Sequence, residues 1–317
     1  MGATSAEIFG DAAPQPATPG SYGQAPAGYR LPEHTRLGPV TLQVSDLARS
    51  LQYYEHVLGL HVATRTHETA TLTAQGDPRV LVALRARAGA GPSRRGTLGL
   101  YHFAILLPDR PALGRFLRHL AETGVRAGAG DHRVSEALYL TDPDGLGIEV
   151  YADRSRERWQ RLGRELMLAT DPVDTASLLA SAGDTPWTGM PAGTVIGHVH
   201  LHVGDLVQAA AFFAEALGFD RMTWRYPGAL FLGAGGYHHH LGTNTWAGVG
   251  AQPPAEQDAR LLEWTVELPR AIDVEAVRTS FRAAGVSVDN AGRGALRTCD
   301  PWGTAIRVCA IEAPPAP

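Results

Sequence analysis

The chain has 317 residues, with 28 Lys and Arg against 32 Asp and Glu and a formal net charge of −4. The two signs are mixed along it, which excludes a basic stripe for nucleic acid and a polybasic membrane anchor, and no run approaches the ~18 apolar residues of a membrane helix. Its two cysteines, Cys299 and Cys309, are too few and too far apart for a disulfide framework or a CxxC site. They read as reduced residues in or near the core of a cytoplasmic protein.

Residues 1–36 are rich in Ala, Pro and Gly and lack the basic start and apolar run of a signal peptide. Their composition predicts a flexible arm, or a segment wrapped over a domain without regular structure. Val40, Leu42 and Val44 then alternate with Thr41 and Gln43, a strand pattern. Ser45 or Asp46 caps a predicted helix from about Leu47 to Leu58, which Gly59 stops. Further β-rich sequence runs to Leu84, and after a Gly/Pro/Arg loop the cycle restarts. A strand from Leu100 to Leu107 is followed by a helix from about Arg110 to Thr123, a strand from Ala137 to Thr141, the turn Asp142-Pro143-Asp144-Gly145, and a strand from Gly147 to Tyr151. Residues 154–194 read as a linker that opens with a charged helical stretch, Arg154 to Met167, and lies packed on the surface.

The second half repeats the first. Gly38 to Leu47 reappears as Gly197 to Leu206, and the match continues without a gap through Gly59 and Gly218. Each half holds two units of one strand, one helix and about three strands, so four units are expected in an α+β fold of duplicated βαβββ modules. The halves define the predicted domains: an arm over 1–36, a first domain over 37–153, a linker over 154–194, a second domain over 195–311 and a tail over 312–317.

Three phrases carry a family resemblance: Ile196-Gly197-His198-Val199-His200-Leu201-His202-Val203, Gly147-Ile148-Glu149-Val150-Tyr151 and Tyr237-His238-His239-His240-Leu241-Gly242. In this setting of paired units the chain resembles the vicinal oxygen chelate superfamily of glyoxalase I, bleomycin resistance proteins and extradiol dioxygenases. Within it the two-domain catechol-2,3-dioxygenase-like branch is the nearest match. The resemblance implies a divalent metal held by residues on the first and last strands of the units. It also implies a small aromatic substrate with O2 and no nucleic-acid or membrane partner; a homo-oligomer stays open.

Six of the 13 histidines fall in two clusters. On a strand His198, His200 and His202 share one face, and an apolar face would leave their ring nitrogens unsatisfied, so they point to a polar cavity. The same alternation separates His238 and His240 from His239. By the family's pattern the metal ligands are expected at His198, at His240 (with His238 as the alternative) and at Glu263, a 2-His-1-carboxylate set suited to Fe(II), or to Mn(II) or another divalent ion. Glu267 is a weaker choice for the carboxylate. Arg307 stands where the family pattern has a glutamate and cannot ligate. It is left to pair with Glu263 or to hold an anionic substrate.

His200, with His238 in reserve, is the candidate general acid/base. Tyr237 and Trp246 line an apolar ring pocket or simply pack in the core. His102 and Glu149 occupy ligand positions in the first half, but Pro39 stands where His198 stands in the second copy. Two ligands without a third read as a degenerate site. The expected activity is extradiol cleavage of a catechol-type ring. A glyoxalase-like metal-dependent lyase or isomerase and a non-catalytic small-molecule binding protein remain as alternatives.

Overall fold

The computed structural model describes residues 2–292 and 294–311, so the tail over 312–317 lies outside the described residues. The four units are present: each begins with a long strand, Arg36–Val44, Gly99–Leu106, Val195–His202 or Arg260–Leu268, and passes through a helix to a β-meander. Asp46 and Asp109 cap the helices Leu47–His56 and Arg110–Thr123 by accepting from the backbone N–H of Arg49 and Ala112. These are local choices of short acceptor side chains at helix starts, which is why the sequence located them well. The helix of the third unit begins normally at Leu206–Ala209 and widens to π geometry over Ala210–Ala216.

The way the units combine differs from the expected pairing of each half with itself. Among the described residues there are two eight-stranded sheets, and each takes one unit from each half. Units two and three build the first sheet, in which Gly99–Leu106 runs antiparallel to Val195–His202. Units one and four build the second, in which Arg36–Val44 runs antiparallel to Arg260–Leu268. The opening strand of every unit has a free edge whose N–H and C=O groups must be paired. Any other copy offers a matching edge, so the repeat dictates that opening strands pair and leaves the choice of partner to the tertiary fold.

The core-facing sides of both sheets and all four helices share one contiguous core that includes Leu42, Phe103, Phe116, Phe213, Trp264 and Phe281. The halves are therefore not separable bodies. The opposite face of the first sheet carries His102, Ala104, His198 and His200, two residues apart on each of the two seam strands.

The arm is ordered rather than flexible. Thr4 caps the short helix Ser5–Phe9 in a capping box with Glu7, Arg30 forms a two-pronged ion pair with the buried Asp220 at 2.5 and 2.7 Å, and Leu31 enters the core. Backbone bonds between Gln24 and Arg221 cover the edge strand Asp220–Thr223. Residues 154–194 also depart from the helical expectation. Arg156–Arg158 is a single 3-10 turn and Gln160–Leu162 and Glu165–Leu166 are strands, because Trp159, Leu166 and Leu168 are buried in a secondary core with Tyr22 and Tyr226. The helix Thr175–Ser181 packs on Arg110–Thr123 at Gly114, where a Cβ would lie 2.4 Å from the Leu178 carbonyl oxygen. Neither cysteine forms a disulfide, and Cys299 is exposed instead of near the core.

Because each sheet needs both halves, residues 1–153 and 154–317 expressed separately should each fail to give a folded monomer, and mixing them should restore one. Circular dichroism and gel filtration check this. Two independently folded monomeric halves would contradict the cross-half seam.

Candidate metal centre and cavity

A row of residues crosses the first sheet: Tyr139 pairs with Glu149, Glu149 with Ala104, and Ala104 with His198. His102 is two residues from Ala104 and faces the same side. Ala104 is fully buried and presents only a methyl group. The side chains on either side close over it. Glu149 Oε2 lies 3.0 Å from His102 Nε2 and 3.1 Å from His198 Nε2, and one ligand atom from each of the three residues falls within 4.8 Å of the others. All three side chains are buried.

Hydrogen bonding inside the protein does not satisfy this group. His102 Nε2 is close to the carboxylate but off the hydrogen-bond direction, and it is left without a partner, as are Glu149 Oε1 and His198 Nδ1. Buried polar atoms are normally paired, so orphans clustered on two imidazoles and one carboxylate fit a bound divalent cation, for which this is a common facial donor set. Burial would raise the Glu149 carboxyl, but the attraction of His198, its hydrogen bond and the close His102 ring outweigh it and hold it well below the usual carboxylate range. Burial lowers His102, partly offset by Glu149. Both directions leave unprotonated ligand atoms, as metal binding requires.

The site opens into a cavity of about 960 Å³ whose walls include Tyr101, Phe231, Trp246 and His239, with Thr4 and Thr170 among its further lining residues. Tyr101 and Trp246 meet edge to face at 5.6 Å, and His202 packs on Tyr101 at 4.8 Å. The three histidines of the strand Val195–His202 do share one face and all line this cavity. His200 sits beside the centre, 5.0 Å from the His102 ring, and its Nε2 accepts from Asn244 Nδ2 at 2.9 Å. Its ring lies over Gly242, where a Cβ would come within 2.8 Å of it. Gly242 pairs with His200 as Glu149 pairs with Ala104, so this glycine marks the fourth ligand position of the paired units, filled by an imidazole instead.

Of the expected ligands, the structure brings His198 to the centre and leaves the other two elsewhere. His240 is turned to the back of the sheet, where its Nδ1 accepts from the Ala234 N–H and its ring stacks on Phe219. Glu263 belongs to the second sheet and is bound by Arg297 at 2.7 Å, and Glu267 is bound by Arg36 at 2.7 Å. Arg307, also in the second sheet, donates to the Ala291 carbonyl and reaches neither Glu263 nor the cavity. His238–His240 precede the strand Leu241–Asn244 instead of lying in it, yet they alternate as expected with the sense reversed: His239 faces the cavity, and His238 and His240 face away. Tyr237 is likewise behind the wall, hydrogen-bonded to Tyr151 at 2.7 Å, whereas Trp246 does line the pocket.

His102 and Glu149 do not form the degenerate pair expected from the first half alone. Their missing third partner is His198, supplied across the seam by the other half. The equal spacing of His102 and His198 at the starts of two units was the available signal. The assumption that each half completes its own site concealed it.

A profile of the Glyoxalase/Bleomycin resistance protein/Dioxygenase superfamily matches residues 36–150. The chain is 47% identical over 274 residues to a catechol-2,3-dioxygenase of Bacillus subtilis (strain 168), covering 85% of this chain and 95% of that protein. It is 30% identical over 120 residues to biphenyl-2,3-diol 1,2-dioxygenase 3 of Rhodococcus globerulus, covering 37% of this chain and 63% of that one. Among solved structures, a candidate dioxygenase from Bacillus subtilis subsp. subtilis str. 168 superposes with a TM-score of 0.62 at 13% identity, over 89% of this chain and 86% of that one. Glyoxalase I from Zea mays superposes with a TM-score of 0.51 at 17% identity, over 86% and 92%. These two similarities bear on the fold alone.

The buried imidazoles also set an acid limit on the metal-free fold. Burial, reinforced by neighbouring histidines, pushes His200 and His239 well below the ordinary imidazole range and His240 down to about 3. Below about pH 6.5 the unfolded chain therefore binds protons that the folded chain refuses, and stability falls as pH falls. The unfolding free energy of metal-free protein from urea denaturation should drop below about pH 6.5, by a slope that approaches about 1.4 kcal/mol per pH unit for each such histidine. A flat profile would mean that these rings are solvated in the fold.

Proposed function

Since the chain belongs to the glyoxalase/bleomycin resistance protein/dioxygenase superfamily, we propose that it is a metal-dependent extradiol dioxygenase cleaving a catechol-type ring, with Fe(II) as the metal. The observation that carries this reading is the buried His102–Glu149–His198 group, which lines an aromatic-walled cavity and in which one polar atom of each residue has no hydrogen-bond partner. His102, Glu149 and His198 would hold the ion, which when bound would supply the activation of O2 and the binding of the catechol oxygens.

The remaining work falls to the chain. Tyr101, Phe231 and Trp246 offer ring faces and edges against which a planar aromatic can be oriented. The arm at Gly2 and Thr4, with Leu168 and Thr170, forms the rim that limits water entry. Proton transfer falls to imidazoles that touch the cavity. His200 was the expected base, but its Nε2 lone pair is engaged by Asn244, so its part is to present Nδ1–H and to fill the space over Gly242. His239 lines the cavity with its Nε2 hydrogen-bonded to no described residue, so this nitrogen is the one open to take a proton from substrate, with a basicity that burial holds low until a ligand's charge offsets it.

Protein purified without chelators should contain iron and consume O2 with catechols in an oxygen electrode. Zinc or nickel without O2 uptake would favour a glyoxalase-like lyase, and absence of metal would favour a binding protein. Glu149→Gln and His102→Ala should each lose the metal while the protein stays folded, with the melting temperature of the metal-free protein falling more for His102→Ala, which leaves the buried Glu149 carboxylate one partner short. Glu263→Gln should retain full metal content; metal loss on that substitution would return Glu263 to the ligand set.

Ala104→Leu tests the floor of the site. Added methylenes there would meet the side chains of both Glu149 and His198. Metal stoichiometry should collapse, at a folding cost of about 1–3 kcal/mol for overpacking. Unchanged metal content by elemental analysis would place the ion away from Ala104.

A further inference from the structure

Behind the cavity wall a hydrogen-bonded chain runs away from the centre. His239 Nδ1 and His238 Nδ1 are 2.7 Å apart, and His238 Nε2 is 2.8 Å from Asp153 Oδ1. The same carboxylate oxygen receives the Tyr237 hydroxyl at 3.4 Å, and Tyr151 bonds Tyr237 at 2.7 Å. His238 is fully buried, closed in by the rings of Tyr151, Trp159 and Tyr237. The chain begins at the cavity and ends at Asp153, whose side chain is 27% exposed in an outer cleft beside Arg154 and Arg158. Asp153 lies on the strand that carries Glu149, four residues on.

Two ring nitrogens can stand 2.7 Å apart only if one carries a proton and the other accepts it. A carboxylate only accepts, so the contact with Asp153 requires the proton of neutral His238 to be on Nε2. His238 Nδ1 is then bare and must accept, which puts the His239 proton on Nδ1. With His238 neutral, the order of donors along the chain leaves one arrangement, whereas a protonated His238 would donate from both nitrogens and put the His239 proton on Nε2.

We propose that Asp153 is a positioning residue for the cavity: by accepting from His238 it fixes, through the His238–His239 contact, the tautomer of His239 whose unprotonated Nε2 faces the substrate. The consequence for turnover rests on the reading of the cavity as a ring-cleaving site, whereas the tautomers themselves do not. Orientation of an imidazole by a buried carboxylate is a known device, but here it acts through a second imidazole.

The test is ¹⁵N-histidine NMR of the full-length, metal-free chain, in which ring nitrogen shifts report the tautomer directly. The wild type should show Nε2–H on His238 and Nδ1–H on His239. In Asp153→Ala, water entering from the outer cleft can donate or accept, so both rings should become tautomer mixtures. Asp153→Asn keeps an acceptor oxygen and should preserve the wild-type pattern. With metal and catechol, Asp153→Ala should lower kcat by about 10- to 100-fold with little change in KM, the usual cost of losing an orienting partner, and Asp153→Asn should recover most of it.

If Asp153→Ala does not fold, His238→Phe severs the chain within the same aromatic surroundings, and the His239 signal is read in the same way. Nε2–H on His239 in the wild type, or an unchanged His239 tautomer in the severed variants, would overturn the proposal. Lack of catechol cleavage by a wild type that shows the stated tautomers would overturn the reading of the cavity and leave the tautomer chain standing.

Discussion

The antiparallel seam between Gly99–Leu106 and Val195–His202 is the constraint from which the rest of the structure follows. It places Ala104 opposite His198, and the parallel strand on the other side of Ala104 brings Glu149 into the same row. Adjacent strands are about 4.8 Å apart, so residues on alternate strands can meet only by leaning over the one between. A methyl group at Ala104 permits that. A larger side chain would hold the carboxylate and the imidazole apart.

The same seam accounts for the electrostatics of the cavity. Five histidines lie along or beside one strand face in a mostly dry setting, and burial pushes His102, His200, His202 and His239 towards the neutral form. One carboxylate, Glu149, sits among them with its ionised form favoured. Such a cluster is costly to fold if left empty, because each unpaired nitrogen forfeits its water contacts. The cost is concentrated on the three residues that come together, where His102 Nε2, Glu149 Oε1 and His198 Nδ1 have no hydrogen-bond partner. Elsewhere on the same face the rings have partners, His200 in Asn244 and His239 in His238 behind it.

The second sheet has the same plan with different occupants. Glu263 holds the position equivalent to His102 and is neutralised by Arg297, while Pro39 replaces the second histidine. Duplication gave two concave faces. Substitution left the donor set on the face made by units two and three and turned the other to structural ion pairs.

Much of this was legible in the amino-acid order. Alternation along Val40–Val44 and Val199–Val203, capping aspartates at 46, 109 and 205, and the gapless repeat determined four units and the cavity-facing side of the His198 strand, because these are local periodicities that backbone geometry imposes on side-chain direction. The sequence also determined that His102 and His198 stand on the opening strands of their units and Glu149 on the last strand of the second. Only the tertiary structure decided which units share a sheet, and with that decision the group of side chains that meet and could hold a cation became His102, Glu149 and His198 instead of His198, His240 and Glu263. The reason is that four similar edges can pair in more than one way with nearly the same hydrogen bonds. The choice among them is made by packing over the whole core, which no local pattern encodes.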